Sequence, residues 1–136
     1  MAMLPAQVLS EIYKRMRDGD WNGVEELLSD DFKVVEPESL PYGGLWKGKD
    51  ALQRLFPAVM SHFENPAPVT KEVIGGEEWA AVIVDFTVTA KKTGRRFTQT
   101  VSEVGRVVDG KLVELQIHYF DTAALAAEIG SGAEDS

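Results

Sequence analysis

Three carboxylates are placed where they could move a proton. Glu36 ends the β-branched run Val34-Val-Glu-Pro37, at the last position before the chain must turn. Glu103 lies inside a long alternation of apolar and polar residues, and Asp121 follows the end of another. A carboxyl beside apolar walls has its charged form disfavoured. Its pKa then climbs toward neutrality, where it can both take and give a proton. Each residue also has a plainer reading. Glu36 can point into water from a strand end. Glu103 can sit in a cross-strand ion pair with an arginine; if buried, it must be protonated or paired. Asp121 can cap a helix that starts at Thr122.

The elements that must hold these groups follow from periodicity. Val8, Leu9, Ile12 and Met16 recur at helical spacing and predict a helix over residues 6–17, ending at Gly19. Trp21, Val24, Leu27 and Leu28 give a short second helix. Asp20 is placed to cap it, and Glu25 and Glu26 suit its early turns. Residues 32–36 read as a strand, and residues 41–48 as a glycine-rich loop. A third helix follows, with Leu52, Leu55, Phe56, Val59 and Met60 inward and Pro57 set to kink or end it. The pattern then changes to period two. Strands are expected over 69–74, 80–89, 96–108 and 111–120, joined by Gly75-Gly76, by Lys91-Lys-Thr-Gly94 and by the hairpin signal Asp109-Gly110. A terminal helical turn over 123–129 precedes a disordered tail over 130–136. Helices followed by long antiparallel strands define an α+β fold with the helices on one face of the sheet. One domain over 1–129 accounts for the chain.

Strand parity sorts the remaining candidates. Leu115, Ile117, Tyr119 and Asp121 share one face of the last strand, and this apolar set should face the helices; His118 falls on the other face. Tyr42 and Trp46 sit on the loop beside the expected pocket, as a lid, a stacking surface or simple packing against the third helix. Phe56, Met60, Phe63, Trp79 and Phe86 read as core, some of them pocket wall. His62 near a helix end is a favourable C-terminal charge. The basic hairpin tip formed by Lys91, Lys92, Arg95 and Arg96 reads as a solvated turn protecting a sheet edge.

Several chemistries are set aside. The 136 residues include two histidines and no cysteine, a poor basis for a metal site and none for a disulfide framework. A net charge of −8 argues against nucleic acid as a partner. The longest aliphatic run stops at Asp85, far too short to span a bilayer, and the first ten residues lack a signal-peptide pattern. A soluble, cytoplasmic protein is the expectation. There is no Gly-x-Ser-x-Gly, and the glycines of 43–48 lack the Lys-Ser/Thr of a phosphate loop.

The order of elements resembles the nuclear transport factor two-like superfamily, which includes SnoaL-like cyclases, ketosteroid isomerases and limonene epoxide hydrolases. The residues that carry the likeness are Asp18-Gly-Asp20, Leu28-Ser-Asp-Asp-Phe32, Gly44-Leu-Trp-Lys-Gly48, Val107-Val-Asp-Gly110 and Tyr119-Phe-Asp121. The resemblance implies a cone-shaped, curved mixed or antiparallel sheet with about three helices on its concave face, enclosing a pocket. It also implies roles. Glu36 matches the isomerase's proton-moving aspartate. Glu103 matches the acid that donates to the developing oxyanion, and Asp121 matches the cyclase acid/base. The isomerase's oxyanion tyrosine matches Ile12 rather than Tyr13. One residue is about 100° around a helix, which turns Tyr13 away.

The resulting expectation is an enzyme without metal or organic cofactor, acting by proton transfer on a small apolar or polycyclic carbonyl compound. Glu36 or Asp121 serves as base, and Glu103 with Tyr119 orients the substrate. Tyr42, Trp46, Phe56, Met60, Phe86 and Ile117 line the site. Alternatives are epoxide hydrolysis, which needs an arginine that parity does not place, and a non-catalytic small-ligand or dimerisation module. A homodimer through the outer sheet face, with Thr87, Thr89, Thr98, Thr100, Gln116 and Phe120, is expected.

Overall fold

The computed structural model describes residues 3–132. The first helix, α1 (Pro5–Arg17), opens with proline at its first turn, where no intrahelical N–H is lost, and ends before Gly19 at φ +71°. Asp20 caps α2 (Trp21–Glu25) by accepting from the Gly23 N–H at 2.9 Å. The helix is shorter than its apolar pattern predicts, because Leu28 already begins β1 (Leu28–Glu36).

The expected loop over 41–48 contains a strand, β2 (Gly44–Lys47), paired antiparallel with the end of β1. Gly44 and Gly48 both take left-handed φ values near +100°, so the turn chemistry brackets the strand rather than replacing it. In α3 (Ala51–Met60) the helix runs through Pro57 and closes with the Ser61 N–H on the Pro57 carbonyl. Strand β3 (Phe63–Gly75) begins six residues earlier than periodicity predicts. As an edge strand it accommodates Pro66 and Pro68, with the pairing register shifting between Glu64 and Ala67. Three long strands follow: β4 (Trp79–Ala90), β5 (Arg96–Val108) and β6 (Lys111–Tyr119). The turn between the last two has Asp109 and Gly110 both at positive φ, the hairpin geometry their types favour. Helix α4 (Thr122–Ile129) closes the chain.

The sheet order is β2-β1-β6-β5-β4-β3, with β1 parallel to β6 and every other pair antiparallel. The first three helices cover its inner face, where Val8, Leu9, Ile12, Phe32, Val34, Leu112 and Leu115 make the core. The tail corrects the expectation of disorder from 130 onward: Gly130 is buried, and the Gly132 N–H donates to the Ser39 carbonyl at 3.1 Å. The remainder of that tail, 133–136, lies outside the described residues. Glu128 of α4 binds the basic hairpin, accepting from Thr93 Oγ1 at 2.6 Å and pairing with Arg95 at 3.4 Å. No helix among the described residues is long and apolar enough to cross a membrane.

Candidate active site

Glu103 pairs across the sheet with Ile117 of β6, and β1 runs beside β6 with Val35 opposite Gln116. One further step in that register puts Glu36 next to Ile117 from the other side. The two glutamates are therefore two strand spacings apart, about 10 Å between backbones, on the same inner face. Their long side chains reach toward each other closely enough for the Glu103 charge to act on Glu36.

Tyr13 corrects the sequence reading. It does not turn away: its hydroxyl is buried beside Glu103. The reason lies in Gly105. A side chain there would meet Leu112 at 2.8 Å and Leu9 at 3.1 Å, so bare backbone lets α1 lie directly on β5. From Leu9, four helical residues advance about 6 Å, nearly the length of the two strand residues from Gly105 back to Glu103. Tyr13 thus arrives over Glu103. Its spacing of four from Leu9 is the signal that could have found it.

The chain bend after Glu36 supplies the next phenol. Pro37 accepts from the Leu40 N–H, and the Leu40 carbonyl from Gly43. A Cβ on Gly43 would lie 2.1 Å from the Pro37 carbonyl oxygen, so only glycine fits this fold-back. The loop returns Tyr42 into the core, 3 % exposed, where its hydroxyl meets that of Tyr119 at 2.9 Å. Trp46 donates its indole N–H to the Tyr42 carbonyl at 3.0 Å and lies under Arg54 of α3, so it packs the loop onto that helix. His62 stands against the Tyr42 ring, 5.8 Å between centroids.

Glu36 is 3 % exposed, and its Oε1 is buried with no hydrogen-bond partner. Burial, then the Glu103 charge, pushes its pKa up to about 8, against an opposing hydrogen-bond contribution from the nearby Tyr119 hydroxyl. Glu103 keeps some solvent contact along its side chain, yet burial pushes its carboxyl up to about 7, with Tyr13 opposing. The phenols of Tyr13, Tyr42 and Tyr119 are all raised, burial being the largest cause, so they remain protonated donors. Two carboxyls that feel each other titrate as a pair. Around neutral pH such a pair holds one proton more readily than none.

Asp121 is not part of this group. It is exposed, its side chain caps α4 by accepting from the Ala124 N–H at 3.0 Å, and its backbone is pinned by both ends of the Gln99 amide at 2.9 and 3.0 Å. Phe56 also departs from expectation: it is 48 % exposed and pairs with Trp21 outside the core. Trp79, at 39 % exposed, likewise leaves the core. Met60 and Phe86 are half-buried, and Phe86 packs edge-on against Phe63 at 5.6 Å. Ile117 is buried between the two glutamates. A groove of about 580 Å³ opens where β1 ends beside β6, with Glu36, Pro37, Glu38, Gln116, His118, Tyr119 and Thr122 among its walls. A second depression, around Asp30, Lys49 and Arg106, lies away from the glutamates. Among the described residues, no group of three or more His, Asp or Glu is placed to hold a metal ion.

The fold and this inner-face cluster are those of a cone-shaped domain with acidic residues at its centre, and the chain belongs to the SnoaL-like domain family, whose model matches residues 9–115. No curated protein matches the chain in sequence. Among solved structures it is similar to an NTF2-like protein of unknown function from Burkholderia pseudomallei, at 28 % identity over 93 % of this chain and 98 % of that one, with a TM-score of 0.78. It is similar to a protein from Mesorhizobium loti proposed as a SnoaL-like polyketide cyclase, at 26 % identity over 86 % and 100 % of the two chains, TM-score 0.63. In fold it is also similar to TerC co-crystallised with polyporic acid, at 21 % identity over 92 % and 98 %, TM-score 0.76.

Proposed function

We propose that the protein catalyses proton transfer at a carbon next to a carbonyl, in an isomerisation, cyclisation or dehydration of a small cyclic substrate, without metal or organic cofactor. The observation that carries this is the pair Glu36 and Glu103 on one apolar face, with Glu36 3 % exposed and one of its oxygens buried without a donor. An unsatisfied buried acceptor costs about 1–3 kcal/mol. A fold keeps such a group where something else uses it.

In this reading substrate binding shifts the pair's proton onto Glu103 from Glu36, which holds it more tightly in the empty site. Ionised Glu36 then takes the proton from carbon as the C–H bond breaks. The electron pair moves onto the carbonyl oxygen, which becomes an enolate. Protonated Glu103 and the Tyr13 phenol donate to that oxygen, and Glu36 returns its proton to carbon or to a leaving oxygen. Two donors in a site shielded from water stabilise an enolate far better than bulk solvent does. The family includes isomerases and cyclases, and TerC, a domain of this shape, has been co-crystallised with polyporic acid. Glu36, rather than Asp121, takes the role of base here.

The test is deuterium incorporation from D2O into a panel of cyclic β,γ-enones and 1,3-diketones, followed by proton NMR. Wild type should exchange the acidic C–H, and Glu36→Gln should slow exchange by about 10²–10⁴-fold. Exchange by Glu36→Gln at the wild-type rate, or none by wild type across the panel, overturns the reading. A binding-only role is the second reading, favoured by the Phe63–Phe86 packing within the cone; unchanged ligand affinity with no turnover in wild type would select it. A homodimer through the outer face, where Phe120 is 86 % exposed, remains part of the proposal, and sedimentation showing a monomer would remove it.

A further inference from the structure

We infer that Tyr42 is a positioning residue for the base: its hydroxyl donates to that of Tyr119 and so directs the Tyr119 proton to Glu36 once Glu36 ionises. The role rests on the proposed function, while the hydroxyl chain rests on geometry and can be followed without turnover. Ile117 lies beside Glu36 in the β1–β6 register, and Tyr119 follows it on the same face, about 7 Å further along the strand. A glutamate and a phenol side chain together span that step. The Tyr42 hydroxyl meets that of Tyr119 at 2.9 Å. The loop that carries Tyr42 is held at three points: Gly43 folds back on Pro37, the Tyr42 carbonyl accepts from the Trp46 indole at 3.0 Å, and the Ser39 carbonyl accepts from Gly132 at 3.1 Å.

A phenol has one proton to give and can also accept one. In a pair, only one hydroxyl donates to the other. Among the described residues Tyr119 is the one hydrogen-bond partner of the Tyr42 hydroxyl, which directs the Tyr42 proton to Tyr119. The reverse order would leave a buried proton at Tyr42 without an acceptor and an ionised Glu36 without a donor, and buried groups left unpaired are costly. With Tyr42 donating, the Tyr119 proton is free for the carboxylate, and each donation in such a chain polarises the next. The empty site does not need this bond, because Glu36 then holds a proton of its own; an ionised Glu36 does. The groups acting on Glu36 are Glu103 from β5, which opposes its ionisation, and Tyr119 from β6, which favours it. Tyr13 of α1 stands beside Glu103, and His62, at the end of α3, rests against the Tyr42 ring. The Glu36 charge also reaches Tyr42 and helps keep that phenol protonated. The hydroxyl pair thus biases the shared proton toward Glu103, the direction the reaction requires.

The experiment is 13C NMR of the Glu36 carboxyl across pH in the full chain, for wild type, Tyr42→Phe, Tyr119→Phe and the double variant, each checked for native fold by circular dichroism. Tyr119→Phe should raise the Glu36 midpoint by about one pH unit, and Tyr42→Phe by about 0.3–0.5. In the Tyr119→Phe background, Tyr42→Phe should move it no further, since its path to Glu36 is gone. At pH 7 the deuterium exchange of Tyr42→Phe should then fall about two- to threefold in kcat, with KM unchanged. An unmoved midpoint in Tyr42→Phe would reduce Tyr42 to loop packing and overturn the inference. A lowered midpoint would reverse the donor order, and a further rise in the double variant would show a path that bypasses Tyr119; either overturns it as well. If Tyr42→Phe does not fold, 4-fluorophenylalanine at position 42, which fills the hydroxyl's place without a proton to give, carries the same expectations. If the midpoints move as described while exchange does not depend on Glu36, the hydroxyl chain stands and the proposed function falls. If they stay in place while exchange depends on Glu36, the chain falls and the proposed function stands.

Discussion

On the outer face of β6, Glu114 accepts from the Gln116 amide and pairs with Lys33, and these partners lower its carboxyl pKa. On the inner face of the same strand, Ile117 separates Glu36 from Glu103, and both are raised, to about 8 and about 7. Asp85 repeats the outer pattern, accepting from Thr100 at 3.0 Å with Lys71 at 3.8 Å. The residue type is not what differs. Outside, each carboxylate has donors, cations and water; inside, it has phenols, another carboxyl and apolar walls. A site for proton chemistry can thus be made from common side chains by choosing the face of a strand, which changes with a shift of one residue.

The largest break in that symmetry should be functional. Glu36→Gln should lose about 10²–10⁴-fold in deuterium exchange, whereas Asp85→Asn, an equal change on the outer face, should stay within about twofold of wild type. Equal losses in both would mean that the faces do not differ in chemistry.

The next effect is on stability against pH. Glu36 and Glu103 have folded-state pKa values above the ordinary 4.5. Between 4.5 and about 8 the folded state therefore binds more protons than the unfolded one, and stability falls as pH rises through that window. The summed loss should be on the order of a few kcal/mol. Glu114, shifted downward, has the opposite sign: its contribution is present above the ordinary value and is lost on acidification. Urea unfolding at pH 5, 6.5 and 8 checks this. A flat or rising profile for wild type, or one unchanged by Glu36→Gln, contradicts the burial of the inner pair.

Smaller still is the gain from removing one inner carboxyl. Glu103→Leu should raise stability by about 1–3 kcal/mol at pH 8, because an apolar side chain avoids burying a charge. It should also abolish the Glu103 contribution to the Glu36 pKa, visible by 13C NMR of the Glu36 carboxyl as a lower midpoint. Tyr13→Phe should move the Glu103 midpoint upward, since the phenol holds it down. Unmoved midpoints would separate residues that the structure brings together.

Much of this contrast can be read from the chain, and the exceptions have physical causes. Alternation in 96–108 and 111–120 sets Glu103 and Ile117 on one face, and both are there. Strand ends and turns follow the glycines: Asp109-Gly110 and Gly94 all take positive φ. Tyr13 was misplaced because a helical stripe has no sharp edge. It lies at the border of the buried set Val8, Leu9 and Ile12, and only the absent side chain of Gly105 draws that border toward Glu103. Asp121 has the parity of a pocket residue, but the start of α4 claims its carboxylate first. The strand Gly44–Lys47 was hidden by glycines that serve as its brackets. Phe56 reads as inward from its helical spacing and Trp79 as core from its type, and neither signal decides burial for a ring at the margin of a helical stripe or beside an edge strand. The groove could not be read at all, because it depends on where two parallel strands end relative to each other.

The smallest expected effect bears on whether the outer ion pairs matter to the inner site. Lys33 is 44 % exposed in its side chain, and its pair with Glu114 spans two neighbouring strands. Solvent screening limits such a pair to less than about 1 kcal/mol, so Lys33→Ala should lower urea-unfolding stability by no more than that. It should leave the Glu36 carboxyl midpoint in place, because β1 separates the two faces and Lys33 is not among the groups acting on Glu36. A shift of that midpoint in Lys33→Ala would show that the outer charges reach through the sheet. The raised pKa of Glu36 would then belong to the field of the whole β1–β6 edge rather than to the enclosed cluster with Glu103, Tyr13 and Tyr119.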